Sequence, residues 1–339
     1  MASTRRLWTG GHGADLREAL VAATVMDASS LWIVPSELAA RQVRRVLGAR
    51  SRGVVAPVKI WCWSDLWQSI GEQAEVGPGR LSTAAAEAVF DEAIRRARAR
   101  RRLGPLETMI DWPGYRRQLR ARVAHWTRDE QHETRSRGGD NDAVAVAERL
   151  LFDEYRDLLR GLNAEDDAGF AVWASMQLTQ KSIAALAGVR QVTILEWPSG
   201  SPAQWRFLHV AIRRAKSVHI SLAHEEDPAS RPVYEASSGI RQSLLEAGFV
   251  ETVLAADLWR PKGLREVEQS LFRPREQTTG ISAAQGIEIQ GAPQGDGVAR
   301  WIAHELQGLI ETGTEPDDIL VLFRHWSEQA ERALEIARQ

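Results

Sequence analysis

Three glycines, Gly10, Gly11 and Gly13, stand between a short apolar stretch and a helical one, in TGGHGADL (Thr9–Leu16). A strand, a glycine turn and a helix can hold phosphate through backbone N–H groups and the helix dipole. The full phosphate loop is G-x-x-x-x-G-K-[ST], whose lysine reaches the phosphates and whose hydroxyl reaches magnesium. Neither residue is present, and Asp15 near the helix start would repel an anion. The turn is expected to be a tight strand-to-helix connection. A second position is Glu196, after the apolar run VTIL (Val192–Leu195). In phosphate-loop ATPases an acid here holds magnesium and a neighbouring acid orients water. This chain offers one acid, followed by Trp197 and Pro198.

Metal and nucleophile chemistry have less to work with. The eight histidines form no H-x-x-x-H or H-E-x-x-H pair. The run His224, Glu225, Glu226, Asp227 reads as a solvated acidic loop, and no G-x-S-x-G elbow occurs. One cysteine, Cys62, excludes an internal disulfide framework and a cysteine-cluster zinc site; between Trp61 and Trp63 it is expected to be buried.

The basic residues are more informative. Arg95, Arg96, Arg98, Arg100, Arg101 and Arg102 close one expected helix; Arg116, Arg117, Arg120 and Arg122 lie on the next; Arg41, Arg44 and Arg45 lie on a third. Clustered arginines neutralise phosphates with salt-dependent, sequence-independent affinity. They also serve as solvated helix ends that complement the dipole. Only four of the 43 basic residues are lysine, a bias that genome composition explains as readily as phosphate binding. Trp61, Trp63 and Trp67 could stack on bases or simply be core.

These residues need elements to place them. The 339 residues, 44% apolar and 26% charged, allow about two domains and exclude wholesale disorder. A net charge of −2 means that any nucleic-acid surface is local. No apolar run reaches the ~18 residues of a membrane span, and the N-terminus lacks a secretory h-region. The expectation is a soluble, cytoplasmic protein with no membrane partner.

Strands are expected at Arg5–Thr9, Ser30–Val34 and Val54–Trp61. Helices are expected at Ala14–Ala23, at Glu37–Leu47 capped by Ser36, and at Asp65–Ile70 capped by Ser64. Continuous apolar strands alternating with helices indicate a parallel α/β layer. From Ser82 to about Ala187 the pattern turns helical: Ser82–Arg102, Gly114–Trp126, Asp142–Leu162 and Ala168–Leu186. Strands return at Val192–Leu195 and Val218–Leu222, with helices Pro202–Ala215 and Ile240–Ala247. A charged, Gly/Pro-containing linker covers 260–285. A second α/β unit then begins, with strand Ile287–Gly291, helix Gly297–Thr312, strand Ile319–Phe323 and helix Ser327–Arg338.

Read in order, the segments resemble superfamily 1 helicases. IVPSELAARQVRRVL (Ile33–Leu47), VKIWCWSDLWQSI (Val58–Ile70), LLFDEYRDLLRGLNAEDDAGFAVWA (Leu150–Ala174), the stretch Val189–Leu222 and GIEIQGAPQGDGVARWIAHELQGLIETGTEPDDILVLFRHWSEQAERALE (Gly286–Glu335) follow the family's order and spacing over essentially the whole chain. The order resembles the B subunits of AddAB-type helicase–nucleases, related to the PD-(D/E)XK nuclease family. The resemblance implies a P-loop NTPase (RecA-like) parallel sheet made of 1–81 and 187–259, a helical insert at 82–186, a linker at 260–285, and the start of a second helicase-like domain at 286–339.

It implies a helicase-like region acting in double-strand break resection and recombinational DNA repair. Its partners would be DNA, as a single strand or duplex end, and a motor A subunit. A Mg2+-dependent exonuclease domain is expected downstream of Gln339, with no cofactor in this chain. Pro35, Ser36, Trp63 and Ser64 fall on the DNA-backbone motifs. Arg324 and Glu196 fall on nucleotide-site positions, and Gly10, Gly11 and Gly13 on the degenerate turn. Arg41, Arg44, Arg45, Arg95, Arg96 and Arg98 are the arginines expected to meet phosphate. The missing phosphate-loop lysine, and Gly297 where the family carries an acid, speak against ATP hydrolysis by this chain. Two rival readings are an active ATP-driven translocase and an α/β scaffold with no nucleic-acid role.

Overall fold

A computed structural model describes residues 4–11, 16–24, 27–50, 58–74, 76–129, 142–180, 186–197, 200–225, 231–255, 267, 291, 296–323, 331–332 and 335. The chain divides into two units, one of residues 1–260 with 272–276, the other of 261–271 with 277–339.

The first unit is built on a six-stranded sheet. Its strands are β1 (Thr4–Gly10), β2 (Ser30–Val34), β3 (Lys59–Cys62), β6 (Gln191–Ile194), β7 (Ser217–Ala223) and β8 (Val250–Val253). The order is β3-β2-β6-β7-β1-β8 and every pairing is parallel. Parallel pairing needs a crossover between successive strands, and the helices supply it. They are α1 (Leu16–Ala23), α2 (Glu37–Arg50), α3 (Trp63–Gly71), α7 (Asp167–Gln180), α8 (Pro202–Arg214) and α9 (Arg231–Glu246).

Alternation along β2 divides the core. Leu31 and Ile33 pack with Leu66, Trp67, Phe170 and Phe207 of α3, α7 and α8 on one face. Trp32 and Val34 pack with Leu20, Val21, Val43 and Leu47 of α1 and α2 on the other. All five residues of β2 are buried, as a strand covered on both faces requires. The edge strand β8 lies outside the strands expected from sequence. It is four residues long, and Val250 and Val253 remain exposed, so it lacks the continuous apolar signature of the central strands.

Between β3 and β6 lie β4 (Gly79–Arg80), α4 (Thr83–Ala99), a 3-10 turn (Gly104–Thr108), α5 (Pro113–Asp129), α6 (Ala143–Gly161) and β5 (Ala164–Glu165). Among the described residues, the strand content of this stretch is one two-residue parallel ladder, entered through Asn163 at φ +47. The insert has its own core, from Phe90 and Leu106 to Leu151 and Leu159. Helix α7, within the stretch expected as insert, packs into the sheet's core through Phe170, Ala174 and Leu178.

Ser36 caps α2: its Oγ accepts from the Ala39 N–H at 3.2 Å. Ser64 does not cap α3. The cap is Cys62, whose backbone N–H donates to Asp65 Oδ2 at 2.8 Å, because the Asp65 carboxylate three residues on reaches back to it. Residues 51–57, the first part of the expected strand Val54–Trp61, lie outside the described residues.

In the second unit α10 (Asp296–Glu311) ends at Gly313, φ +93, a left-handed stop that favours glycine. The expected strand Ile319–Phe323 makes no ladder among the described residues, and Leu320 and Leu322 are exposed. A strand is defined by its partner, and the expected partner, Ile287–Gly291, lies outside the described residues apart from Gly291. So do the linker 260–285, except Val267, and most of Ser327–Arg338. No helix among the described residues is long and apolar enough to cross a membrane.

Candidate functional site

Parallel strands end on one side of the sheet. The positions singled out from sequence therefore share that carboxyl edge: Gly10 at the end of β1 and Gly11 after it, Pro35 and Ser36 after β2, Trp63 and Ser64 after β3, and Glu196 after β6. Open α/β sheets bind ligands along this edge, where the strand order switches direction.

At β1 the edge is closed by carboxylates. The Glu225 carboxylate lies so close to Gly11 that a Cβ there would meet its Oε2 at 2.7 Å. Thr9 Oγ1 donates to Glu251 Oε1 at 2.7 Å, and Arg241 grips Glu251 with Nε and Nη2 at 2.8 and 2.6 Å. Arg241 first, and Thr9 with it, hold the Glu251 carboxyl below the usual carboxylate range. The carbonyls of Thr9 and Gly10 accept the N–H groups of Leu254 and His224. His224 is buried, with Nδ1 3.1 Å from Ser237 Oγ.

Glu196 stands at the end of β6, separated from β1 by β7 and so roughly 10 Å from it. It is exposed, with φ +52, and its N–H donates to Ser221 Oγ at 2.8 Å. Gly13 and Arg324 lie outside the described residues.

At β2 and β3 the same edge opens into a cavity of about 380 Å3, bounded by Pro35, Trp63, Ser64 and Trp67, by Phe170 of α7, and by Ser201 and Gln204 at the start of α8. Trp63 stacks on Trp67 (5.7 Å, 25°) and meets Phe207 and Trp197 edge-on, so the aromatic wall is braced by core rings. Arg80 and Arg128 complete the rim with Asp167. The Arg80 guanidinium sits 5.8 Å from the Phe170 ring and donates from Nε to Asp167 at 2.8 Å. Aromatic faces beside guanidinium groups can stack bases and neutralise phosphates.

The arginine clusters fall elsewhere. Arg41, Arg44 and Arg45 lie on the exposed side of α2, which covers the sheet face opposite α3 and α7. Arg95 and Arg96 both pair with Glu92, and Arg98 pairs with Glu107 and Asp111. Arg100 and Arg102 reach the buried Glu154, and Arg122 the buried Glu148. The insert's arginines are thus largely matched by its own acids. Arg80, Arg128 and Phe170 carry the groove and stand outside the residues chosen from sequence. The one visible signal for Arg128 is its register with Arg117, Ala121 and Ala124 on one helical face.

One further cluster lies at the start of α3. The ligand atoms of Glu37, Cys62 and Asp65 sit within 4.8 Å of one another. Cys62 is buried, and burial, then Asp65 and Glu37, push its thiol up to about 11. A thiol must lose its proton to ligate or attack, so at neutral pH this one acts as a donor, 3.8 Å from Glu37 Oε1. No protein-family model matches the chain, and no curated protein matches it.

Proposed function

We propose that this chain is the helicase-like part of a DNA-repair helicase–nuclease subunit, one that holds a DNA strand without hydrolysing ATP. In this reading the RecA-like sheet survives as a scaffold, a separate motor subunit supplies translocation, and the setting is the cytoplasm. The reading assigns no cutting to these residues.

The observation that carries the proposal is the groove. Pro35, Trp63 and Ser64, chosen from sequence as backbone-contacting positions, line one cavity beside two guanidinium groups and an aromatic wall. They stand directly after β2 and β3, more than 25 residues apart in the chain. The carboxylates at β1 support the second half of the proposal. Glu225 against Gly11 places negative charge where a nucleotide would bring its own.

The test is a titration of fluorescent single-stranded oligonucleotides of two unrelated sequences at several salt concentrations, beside equilibrium dialysis with ATP. Both oligonucleotides should bind alike, weakening by about 0.7 log units per log unit of salt for each phosphate neutralised. ATP should show no saturable binding tighter than roughly millimolar, because the sequence of the turn, TGGHGADL, supplies no lysine or arginine to pair its phosphates. Absent or salt-independent DNA binding would overturn the DNA reading, and micromolar ATP affinity would favour an active translocase.

A further inference from the structure

A second cavity, of about 300 Å3, opens on the insert between the start of α4 and one face of α5. Arg117, Arg120 and Arg128 point their chemistry at it, opposite Asp166 and Asp167. The carboxylates are already engaged. Asp166 accepts from the Tyr155 hydroxyl at 3.0 Å and the Gly169 N–H at 2.8 Å, and Asp167 holds Arg80. Arg120 is spent on Glu87. Arg117 and Arg128 are exposed, and among the described residues neither has a carboxylate partner. Asp166 keeps its charge, since both of its donors are neutral, so Arg117 and Arg128 outnumber it and leave the cavity net positive.

Their spacing has a consequence. Arg117, Ala121, Ala124 and Arg128 share one face of α5, with the two alanines clearing the strip between the guanidinium groups. Eleven residues at 1.5 Å each separate the two arginines by roughly 16 Å. A stacked strand advances about 3.4 Å per nucleotide, so the two reach phosphates roughly four to five nucleotides apart. Arg128 and Asp167 also border the aromatic cavity, so the two cavities form one continuous path.

We propose that Arg117 and Arg128 form a phosphate-binding subsite that carries a single nucleic-acid strand from the aromatic groove onto the insert. The proposal rests on the DNA reading and adds a direction and a footprint to it. Both side chains are exposed, so their replacement leaves the fold within the range of ordinary surface substitutions.

The experiment compares the whole chain with Arg117→Ala/Arg128→Ala and with Arg117→Lys/Arg128→Lys, using a single-stranded dodecamer across a salt series, with circular dichroism to establish the fold. The alanine pair should lower the salt slope by about 1.4, the value for two single-strand phosphates, equally for unrelated sequences. The lysine pair should keep the slope, since it keeps both charges. An unchanged slope in the alanine pair would overturn the subsite while leaving the groove in place. So would a lysine pair that loses as much as the alanine pair. If the unaltered chain shows no salt-dependent binding, the DNA reading fails and the subsite with it.

Discussion

Two ends of one sheet edge behave differently. At β1 the glycine turn is met by Glu225, and Glu251 is clamped by Arg241 and Thr9. At β2 and β3 the edge stays open, walled by Trp63, Trp67 and Phe170 and rimmed by Arg80 and Arg128. The strand geometry is the same at both ends, so the backbone does not set them apart. The side chains that follow each strand do. Acids delivered by β7 and β8 close one end, and an excursion of more than a hundred residues between β3 and β6 builds the wall of the other.

The largest expected effect tests whether the open end stands on the sheet's core. Phe207 is fully buried and holds Trp63 and Trp67 edge-on at 5.7 and 6.5 Å. Phe207→Ala should lower stability by about 3–5 kcal/mol in urea unfolding. A loss below about 1 kcal/mol would mean that the aromatic wall is supported some other way.

His219, in the strand between the two ends, should give the sheet an acid limb. It is 6% exposed, and burial, then Arg6, push its imidazole down to about 4. The unfolded chain therefore binds the proton first. The contribution of neutral His219 is fully present above about pH 6.5 and is lost as pH falls toward 4, on the order of 3 kcal/mol in all. His219→Leu should flatten that part of the stability–pH curve, and an unchanged curve would show that the site is hydrated.

At the closed end, Arg241→Ala leaves the Glu251 carboxylate without its main partner in a partly buried site. A loss of about 1–3 kcal/mol is expected at neutral pH. Because the Glu251 carboxyl is lowered in the fold, the loss should be fully present above the ordinary carboxylate range and should shrink as pH falls through it. The variant should gain no ATP affinity, since Glu225 still lies against Gly11.

The smallest effects separate the groove from the other arginines. Arg41→Ala/Arg44→Ala/Arg45→Ala lies on the opposite sheet face. Arg95→Ala/Arg96→Ala removes side chains paired with Glu92, roughly 18 Å along α4 from Thr83. Both sets should leave the salt slope of DNA binding unchanged. A slope lowered by either would move the strand's path away from the groove.

Local signals were the ones legible in the sequence. The buried strand Ser30–Val34, the Ser36 cap and the return of strands after the helical stretch follow from apolar runs and one hydroxyl. Pro35, Trp63 and Ser64 could be chosen because they directly follow strands. The closed end was not legible, because Thr9 meets Glu251 across 242 residues. Nor was the pairing of the insert's arginines: the run Arg95–Arg102 looks like free charge until Glu92, Glu107, Asp111 and Glu154 are folded against it. The membership of α7 was hidden for a related reason. Its apolar residues fit a helical insert equally well, and only packing against Leu66 and Trp67 assigns it to the sheet.

The most direct measurement of the central claim is ultraviolet cross-linking of a single-stranded oligonucleotide to the whole chain, with the attached peptides identified by mass spectrometry. Aromatic side chains stacked on bases are the expected attachment points. The account predicts cross-links at Trp63 or Phe170, lost when competing unlabelled strand is added. Cross-links confined to the carboxyl end of β1, in the peptides around Gly10 and Glu225, would contradict it, because that end would then be the open one.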